Sequence, residues 1–207
     1  MQVEFWFEFA STYSYPAAMR VERLAREAGV TLSWRPFLLG PIFGAQGWND
    51  SPFNIYPAKG ANMWRDLERI CDAEGLTLTR PPVSFPQNGL HAARIALVGA
   101  GESWGPEFVC SVYRANFAEQ KDISDPAVLA AILTAQGLDA ADVMMRATTP
   151  ENKERLKTQT ADGIARGLYG APSFFVGDEL FWGNDRLEAA LQWAQRQVSA
   201  EAVPVRR

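Results

Sequence analysis

Two serines, Ser11 and Ser14, stand three residues apart in Phe5-Trp6-Phe7-Glu8-Phe9-Ala10-Ser11-Thr12-Tyr13-Ser14-Tyr15-Pro16. The segment reads as a buried strand that runs into a tight loop and then into a helix starting near Tyr13 to Ala17. A dithiol redox protein carries Cys-x-x-Cys at such a turn; here the pattern is Ser-x-x-Ser. If the surrounding elements build the fold that carries that site, the geometry for handling sulfur is kept and the thiol comes from a bound cofactor. A free thiol has a pKa of about 8.5, so little of it is ionised at neutral pH. A hydroxyl donor at a helix N-terminus, helped by the helix dipole, favours thiolate over thiol, and Ser11 stands where that role needs it. Ser11 is a weaker candidate for attacking nucleophile, because no histidine base can be assigned to it. Ser14 fits the ordinary role of a serine at a helix start, capping, better than Ser11 does.

A second anchor lies far along the chain. Gly170-Ala171-Pro172-Ser173-Phe174-Phe175-Val176-Gly177 is an apolar strand entered through a proline, a place where the missing N–H costs no ladder bond. Gly177-Asp178-Glu179 turns into a second strand at Leu180-Phe181-Trp182, and Gly183-Asn184-Asp185-Arg186 opens a terminal helix. Asn184 and Asp185 are ordinary N-cap types, and Trp182 could pack beneath the helix. The same helix start would also suit a bound carboxylate. Lys59 and Arg65 could hold a substrate carboxylate or serve as solvated helix charges, and Asn88 is a further polar candidate for substrate. His91 reads as structural or solvent-facing. Cys71 and Cys110, far apart in expected helices, read as small buried hydrophobes rather than a disulfide.

The elements that must position these residues follow from periodicity. Residues 2–9 form the first strand. Residues 15–28 form a helix, with Ala17, Ala18, Val21, Leu24, Ala25 and Ala28 at helical spacing and Gly29 as its C-terminal cap. Residues 30–36 form a second strand, parallel to the first through a right-handed crossover. Residues 38–56 are rich in Gly, Pro, Asn and aromatics without a period, as in a long functional loop. Helices are expected over 58–74, 90–99, 106–119, 126–136, 139–147 and 150–166, several opening on proline. A proline-rich loop falls at 76–87, and a last helix at 185–198 precedes a short polar tail. Strand-helix-strand, a run of helices, then strand-strand-helix is the order of an α/β, thioredoxin-like fold with an inserted all-helical domain, DsbA-like. Residues 1–37 and 168–207 would form the discontinuous thioredoxin-like domain. Residues 38–167 would form the helical insert, closing a cleft against the Ser11 loop. In such folds the proline at the position of Pro172 is cis and faces the active-site loop.

Composition sets the outer limits. A 207-residue chain with net charge -4 and a pI near 5.1 gives no reason to expect nucleic acid or an anionic membrane as partner. No apolar run approaches the ~20 residues of a membrane helix, and the start lacks the basic region and cleavage site of a signal peptide, so a cytoplasmic protein is expected. One histidine and no Cys/His cluster leave no metal site to expect. Most of the 7 Trp and 12 Phe belong to the core. The remainder suit a pocket for a flat aromatic ligand.

Taken together these motifs resemble the 2-hydroxychromene-2-carboxylate isomerase family, a branch of the DsbA-like superfamily close to the kappa-class glutathione transferases. The resemblance spans essentially the whole chain. It rests on Phe-x-Phe-x-Ser-x-x-Ser-Tyr at 7–15, Ser51-Pro52-Phe53-Asn54, the helix from Pro57-Ala58-Lys59 to Trp64-Arg65-Asp66-Leu67-Glu68-Arg69, Gly170-Ala171-Pro172-Ser173-Phe174, and Trp182-Gly183-Asn184-Asp185-Arg186. It implies glutathione-dependent isomerisation of 2-hydroxychromene-2-carboxylate to trans-o-hydroxybenzylidenepyruvate, a step of bacterial naphthalene breakdown, by a homodimer. By this resemblance Ser11 matches the serine beside the glutathione sulfur. Ala171, before the cis Pro172, matches the residue whose backbone pairs with the cysteinyl unit. Trp182, Gly183, Asn184 and Asp185 match the segment holding the γ-glutamyl end, and Asn54 matches a polar residue of the loop that reaches the active site. Two positions depart from the family pattern: Gly44 stands where lysine is common, and Thr12 where proline is common.

Two rival functions remain at this level. A kappa-like glutathione transferase or peroxidase acting on other electrophiles would consume glutathione, whereas isomerisation returns it. A non-catalytic thiol- or peptide-binding DsbA-like module would bind without turnover. A dithiol oxidoreductase is disfavoured, because neither Cys71 nor Cys110 lies near the Ser11 loop in sequence.

Overall fold

Strand β1 (Gln2–Phe7) is apolar at nearly every position because both of its faces are covered. Val3, Phe5 and Phe7 enter the main core, while Trp6 joins Phe37, Ile42, Leu168 and Phe175 in a smaller cluster on the opposite face. A computed structural model of the chain describes residues 2–79 and 84–201. In it β1 pairs in parallel with β2 (Thr31–Pro36), Gln2 opposite Thr31 and Phe7 opposite Pro36. On its other edge β1 pairs antiparallel with β3 (Ser173–Val176), Val3 opposite Val176. Strand β4 (Glu179–Trp182) completes a mixed sheet of order β2-β1-β3-β4.

Helix α1 (Ser14–Ala28) supplies the crossover between β1 and β2 and ends on Gly29, whose φ of 66° needs no side chain to accommodate. Among the described residues eight helices follow before β3: α2 (Leu39–Ala45), α3 (Pro52–Ile55), α4 (Pro57–Ala73), α5 (Leu90–Val98), α6 (Gly105–Phe117), α7 (Pro126–Ala135), α8 (Ala140–Ala147) and α9 (Pro150–Ala165). Asp125, Asp139 and Thr149 cap α7, α8 and α9 by accepting backbone N–H groups. A single 3₁₀ turn, Asn184–Arg186, leads into α10 (Leu187–Glu201). The main core is shared by sheet and helices: Phe5 and Phe7 meet Phe174, Phe108, Tyr113 and Phe117 there. This is the expected thioredoxin-like sheet with its helical run between strands two and three.

The departures are local. The first strand ends at Phe7 rather than residue 9, because Ser11 N donates to Glu8 O at 3.0 Å and turns the chain. Residues 38–56 are not one long loop. Burial of Ile42 anchors α2, and Ser51, accepting from Phe53 N ahead of Pro52, starts α3. Ser14 is not the cap of α1. It lies fully buried in the first turn, and its N–H reaches Ser11 Oγ at 3.3 Å, so the capping contact belongs to Ser11. Pro172 is cis, as is Pro86, which the sequence had not suggested. Residues 80–83 of the 76–87 loop, and the polar tail from 202, lie outside the described residues.

One glycine fixes how α3 meets α4. A Cβ on Gly60 would lie 2.2 Å from the carbonyl oxygen of Phe53. Gly60→Ala is therefore expected to push α3 off α4 at a cost of about 1–3 kcal/mol, read as a lower urea midpoint with unchanged slope.

Candidate active site

The β1–α1 loop, the α2–α3 segment, the loop before α5 and the β3–β4 unit surround one cavity of about 980 Å³. Its wall is mainly apolar, with Phe43, Trp48, Phe53 and Phe85 as its aromatic surfaces and few polar groups, the composition of a site for an aromatic small molecule. Phe43 and Trp48 lie with ring centroids 5.7 Å apart. A larger groove of about 1820 Å³ lies elsewhere, against β2, α5 and α9, and is lined by Glu22, Arg35, Glu154 and Gln159. It is wide and charged and carries none of the candidate residues, so we place the site in the smaller cavity.

Ser11 is half-buried on the cavity wall at the head of α1. Its hydroxyl donates to the Ala171 carbonyl at 3.0 Å, joining two positions 160 residues apart in the chain. The first turn of α1 holds no acidic side chain, so nothing there offsets the positive end of the helix dipole. Beside Ser11, Thr12 is 1% exposed, and its Oγ1 has no hydrogen-bond partner among the described residues. Tyr13 donates to Asp66 Oδ2 at 2.9 Å, which ties the loop to α4. Burial first, then the Asp66 carboxylate, pushes the Tyr13 phenol far above its ordinary range, so it stays a donor.

Of the other sequence candidates, Ala171 and Trp182 line the cavity, whereas Pro172 is buried behind them and accepts from Gly183 N at 2.9 Å. Trp182 is half-exposed at the rim, its ring centroid 5.0 Å from that of Tyr169. Trp182 can sit there because Gly170 has no side chain: a Cβ on Gly170 would be 2.4 Å from Trp182 Nε1. Lys59 and Asn88 also lie on the wall. The Lys59 ammonium stands 4.9 Å from the centre of the Tyr56 ring, and Asn88 Oδ1 accepts from Leu90 N at the start of α5.

Besides Pro172, five candidates stand off the wall. Asn54 is exposed and spends its amide on the Asp50 carboxylate and on Phe85 O, bracing the two wall loops against each other. Arg65 is exposed and paired with Glu68 at 2.8 Å. Gly183 has φ 112°, a conformation that favours glycine, and its N–H is taken by Pro172 O. Asn184 turns inward, where its Oδ1 accepts from Arg20. Asp185 is exposed and paired with Arg186. Gly44 lies on α2 with open space where a Cβ would stand. His91, half-buried on α5, is also not part of the wall.

The residue missed on the sequence is Glu8. It is 8% exposed, lines the cavity, and accepts from Ala10 N–H at 2.8 Å through Oε2. Burial pushes its carboxyl up to about 7, against the lowering pull of the Ala10 and Ser11 N–H groups. The available signal was a carboxylate set between two phenylalanines, Phe7-Glu8-Phe9. Both cysteines are free. Burial pushes the Cys71 thiol up to about 11 and the Cys110 thiol up to about 12, so neither offers a thiolate at neutral pH.

The comparisons with known proteins agree with this architecture. The model of the DSBA-like thioredoxin domain matches residues 2–193. A 2-hydroxychromene-2-carboxylate isomerase of Sphingobium xenophagum is 32% identical over 188 residues, covering 90% of this chain and 94% of its own. One of Pseudomonas putida is 30% identical over 192 residues, covering 90% and 91%. A solved 2-hydroxychromene-2-carboxylate isomerase superposes with a TM-score of 0.85 at 27% identity, over 98% of this chain and 100% of its own. A probable DsbA oxidoreductase of Streptomyces coelicolor, at 19% identity and a TM-score of 0.77 over 100% of this chain and 93% of its own, shares the fold. A thioredoxin-type sheet and this match along nearly the whole chain place the protein in the DSBA-like thioredoxin domain family, within its 2-hydroxychromene-2-carboxylate isomerase branch.

Proposed function

We propose that the protein is a glutathione-dependent isomerase of 2-hydroxychromene-2-carboxylate or a closely related aromatic 2-oxo acid. The observation that carries this reading is the Ser11 hydroxyl, on the cavity wall at a helix N-terminus whose first turn holds no acidic side chain, in a chain whose own two thiols lie off that wall. The residues present fit glutathione. Thr12 Oγ1 is a buried hydroxyl with no described partner on that wall, and a cavity of about 980 Å³ has room for a tripeptide beside a two-ring substrate.

Glutathione, when bound, supplies the thiolate that adds reversibly to a conjugated carbon, so that a double bond becomes single, rotates and re-forms. The protein's part is to hold charge and geometry. Ser11 Oγ carries one hydrogen, now given to Ala171 O. Turning that hydrogen to a bound sulfur would stabilise thiolate over thiol and free the Ala171 carbonyl for the ligand's backbone. Thr12 Oγ1 can add a second donor. Trp182 and Tyr169 would cover the outer end of the ligand. Phe43, Trp48 and Phe53 would stack on the substrate rings and exclude water, and Lys59 is the cation on the wall that can meet the substrate carboxylate.

Calorimetry with glutathione, paired with product analysis of 2-hydroxychromene-2-carboxylate, tests the reading. Binding with glutathione returned unchanged and trans product formed is the expected result. Glutathione consumed into an adduct would instead make the protein a kappa-like transferase. No heat and no competition at millimolar glutathione would leave a binding module without that cofactor.

A further inference from the structure

Glu8 is a carboxylate on the wall of an apolar cavity, one loop away from Ser11, anchored by Ala10 N–H with a further pull from Ser11 N–H. Oε2 is held by Ala10 N–H at 2.8 Å, and Oε1 lies on the side of Gly89. Gly89 keeps that oxygen uncovered, since a Cβ there would come within 3.3 Å of Oε1 and 2.8 Å of Phe9 Cβ. The backbone around it is fixed from two sides. Tyr113 on α6 donates to Glu8 O at 2.9 Å, and Asn116 on the same helix donates to Phe9 O at 3.2 Å. A carboxylate used only to staple the loop would not need to face a ligand cavity.

We propose that Glu8 is a catalytic acid–base that moves the substrate's hydroxyl proton during ring opening. This rests on the isomerase reading above. In the cyclic substrate one carbon bears both a hydroxyl and the ring oxygen. Glu8 Oε1 takes the hydroxyl proton, and the O–H electron pair becomes the new C=O bond. The carbon–ring-oxygen bond breaks, its pair stays on oxygen as phenolate, and the proton on Glu8 passes to that oxygen. The open phenol is formed, the carboxylate is restored, nothing is oxidised or reduced, and no co-reactant is consumed. Thiolate chemistry at Ser11 then acts on the open-chain double bond.

A carboxyl pushed up to about 7 by burial suits this task, because it can both take and return a proton near neutral pH. The titratable groups sharing the wall are Tyr13, Asp50, Lys59 and Tyr169, with Tyr113 behind Glu8. Tyr13 and Tyr113 are both held protonated, chiefly by burial, well above neutral pH.

The test compares the full-length protein with Glu8→Gln, which keeps an acceptor for Ala10 N–H, and with Glu8→Asp. In the wild type, kcat rises with pH through about 7, since the working form is the carboxylate. In Glu8→Gln, kcat is expected to fall about 10²-fold and lose that rise, while glutathione affinity by calorimetry stays within about twofold. Glu8→Asp keeps the rise. A Glu8→Gln profile and rate matching wild type overturns the role and leaves the isomerase reading intact, whereas a wild type without turnover overturns both. Should Glu8→Gln fail to fold, infrared spectra of the wild type decide. A protonated-carboxyl band that vanishes as pH rises through about 7 supports the role, and its absence below that pH overturns it.

Discussion

Ser11→Ala is expected to lower kcat/KM for the isomerisation by about 10²–10³-fold, the loss that follows removal of one donor aimed at developing negative charge. Glutathione binding should suffer far less, because the tripeptide's other contacts do not pass through this hydroxyl. The two effects separate in an ultraviolet titration of bound thiolate. With Ser11 in place the bound thiol should ionise below its free value of about 8.5, and in Ser11→Ala it should move back toward that value. The substitution also removes the bonds to Ala171 O and from Ser14 N, so a stability loss of about 1–2 kcal/mol is expected alongside. A variant that folds, binds glutathione and turns over at the wild-type rate would assign the serine to architecture alone.

Arg20→Ala should be the most destabilising single change, although Arg20 touches no ligand-facing surface. Its guanidinium lies buried beneath α1 and reaches Glu74, the residue that ends α4, at 2.9 Å, Glu188 on α10 at 2.7 Å and Asn184 at 2.9 Å, while Nε donates to Pro16 O. One side chain therefore joins the crossover helix to α4, to the last helix and to the turn that follows β4. The two carboxylates are partly exposed and can be rehydrated when Arg20 is lost, but Asn184 is 7% exposed and would be left with an unpaired amide oxygen. A cost of about 2–4 kcal/mol follows, or roughly 5–15 °C in Tm for a chain of this size. Lysine should not rescue it, because a single ammonium cannot span three partners in a fixed fork. Thermal unfolding of Arg20→Ala and Arg20→Lys checks both statements, and a loss below about 1 kcal/mol would show that the network is solvated.

The fold was legible because its signals are periodic: alternation in β2, helical spacing in α1, and prolines opening α6, α7 and α9. The site was legible only where its residues announce themselves by type, as in Ser11 in place of a thiol, Ala171-Pro172 at a strand entrance, and an aromatic stretch without a period. Asn184, Asp185, Asn54 and Arg65 show why the rest was not. Each has the right chemistry for a ligand, but Asp185 and Arg65 are taken by their neighbours Arg186 and Glu68, and the amides of Asn184 and Asn54 by partners distant in sequence. Arg20 lies 164 residues from Asn184, and Phe85 31 residues from Asn54. Glu8 was hidden for the opposite reason. In a strand that buries both faces, a charged residue looks like a local exception until the cavity beside it is seen.

The place of β1 in the sheet has a consequence for how the chain is made. β2 follows β1 closely along the chain, but the strand that covers the other edge of β1 begins only at Ser173. Until then a nascent chain carries Phe5, Trp6 and Phe7 along an open hydrogen-bonding edge, the kind of template that recruits chaperones or other copies. The carbonyl that receives the Ser11 hydroxyl belongs to the same late segment, two residues ahead of β3. Closure of the sheet and completion of the site thus arrive in a single event once β3 has been made, and a chain released before it would be both sticky and inert.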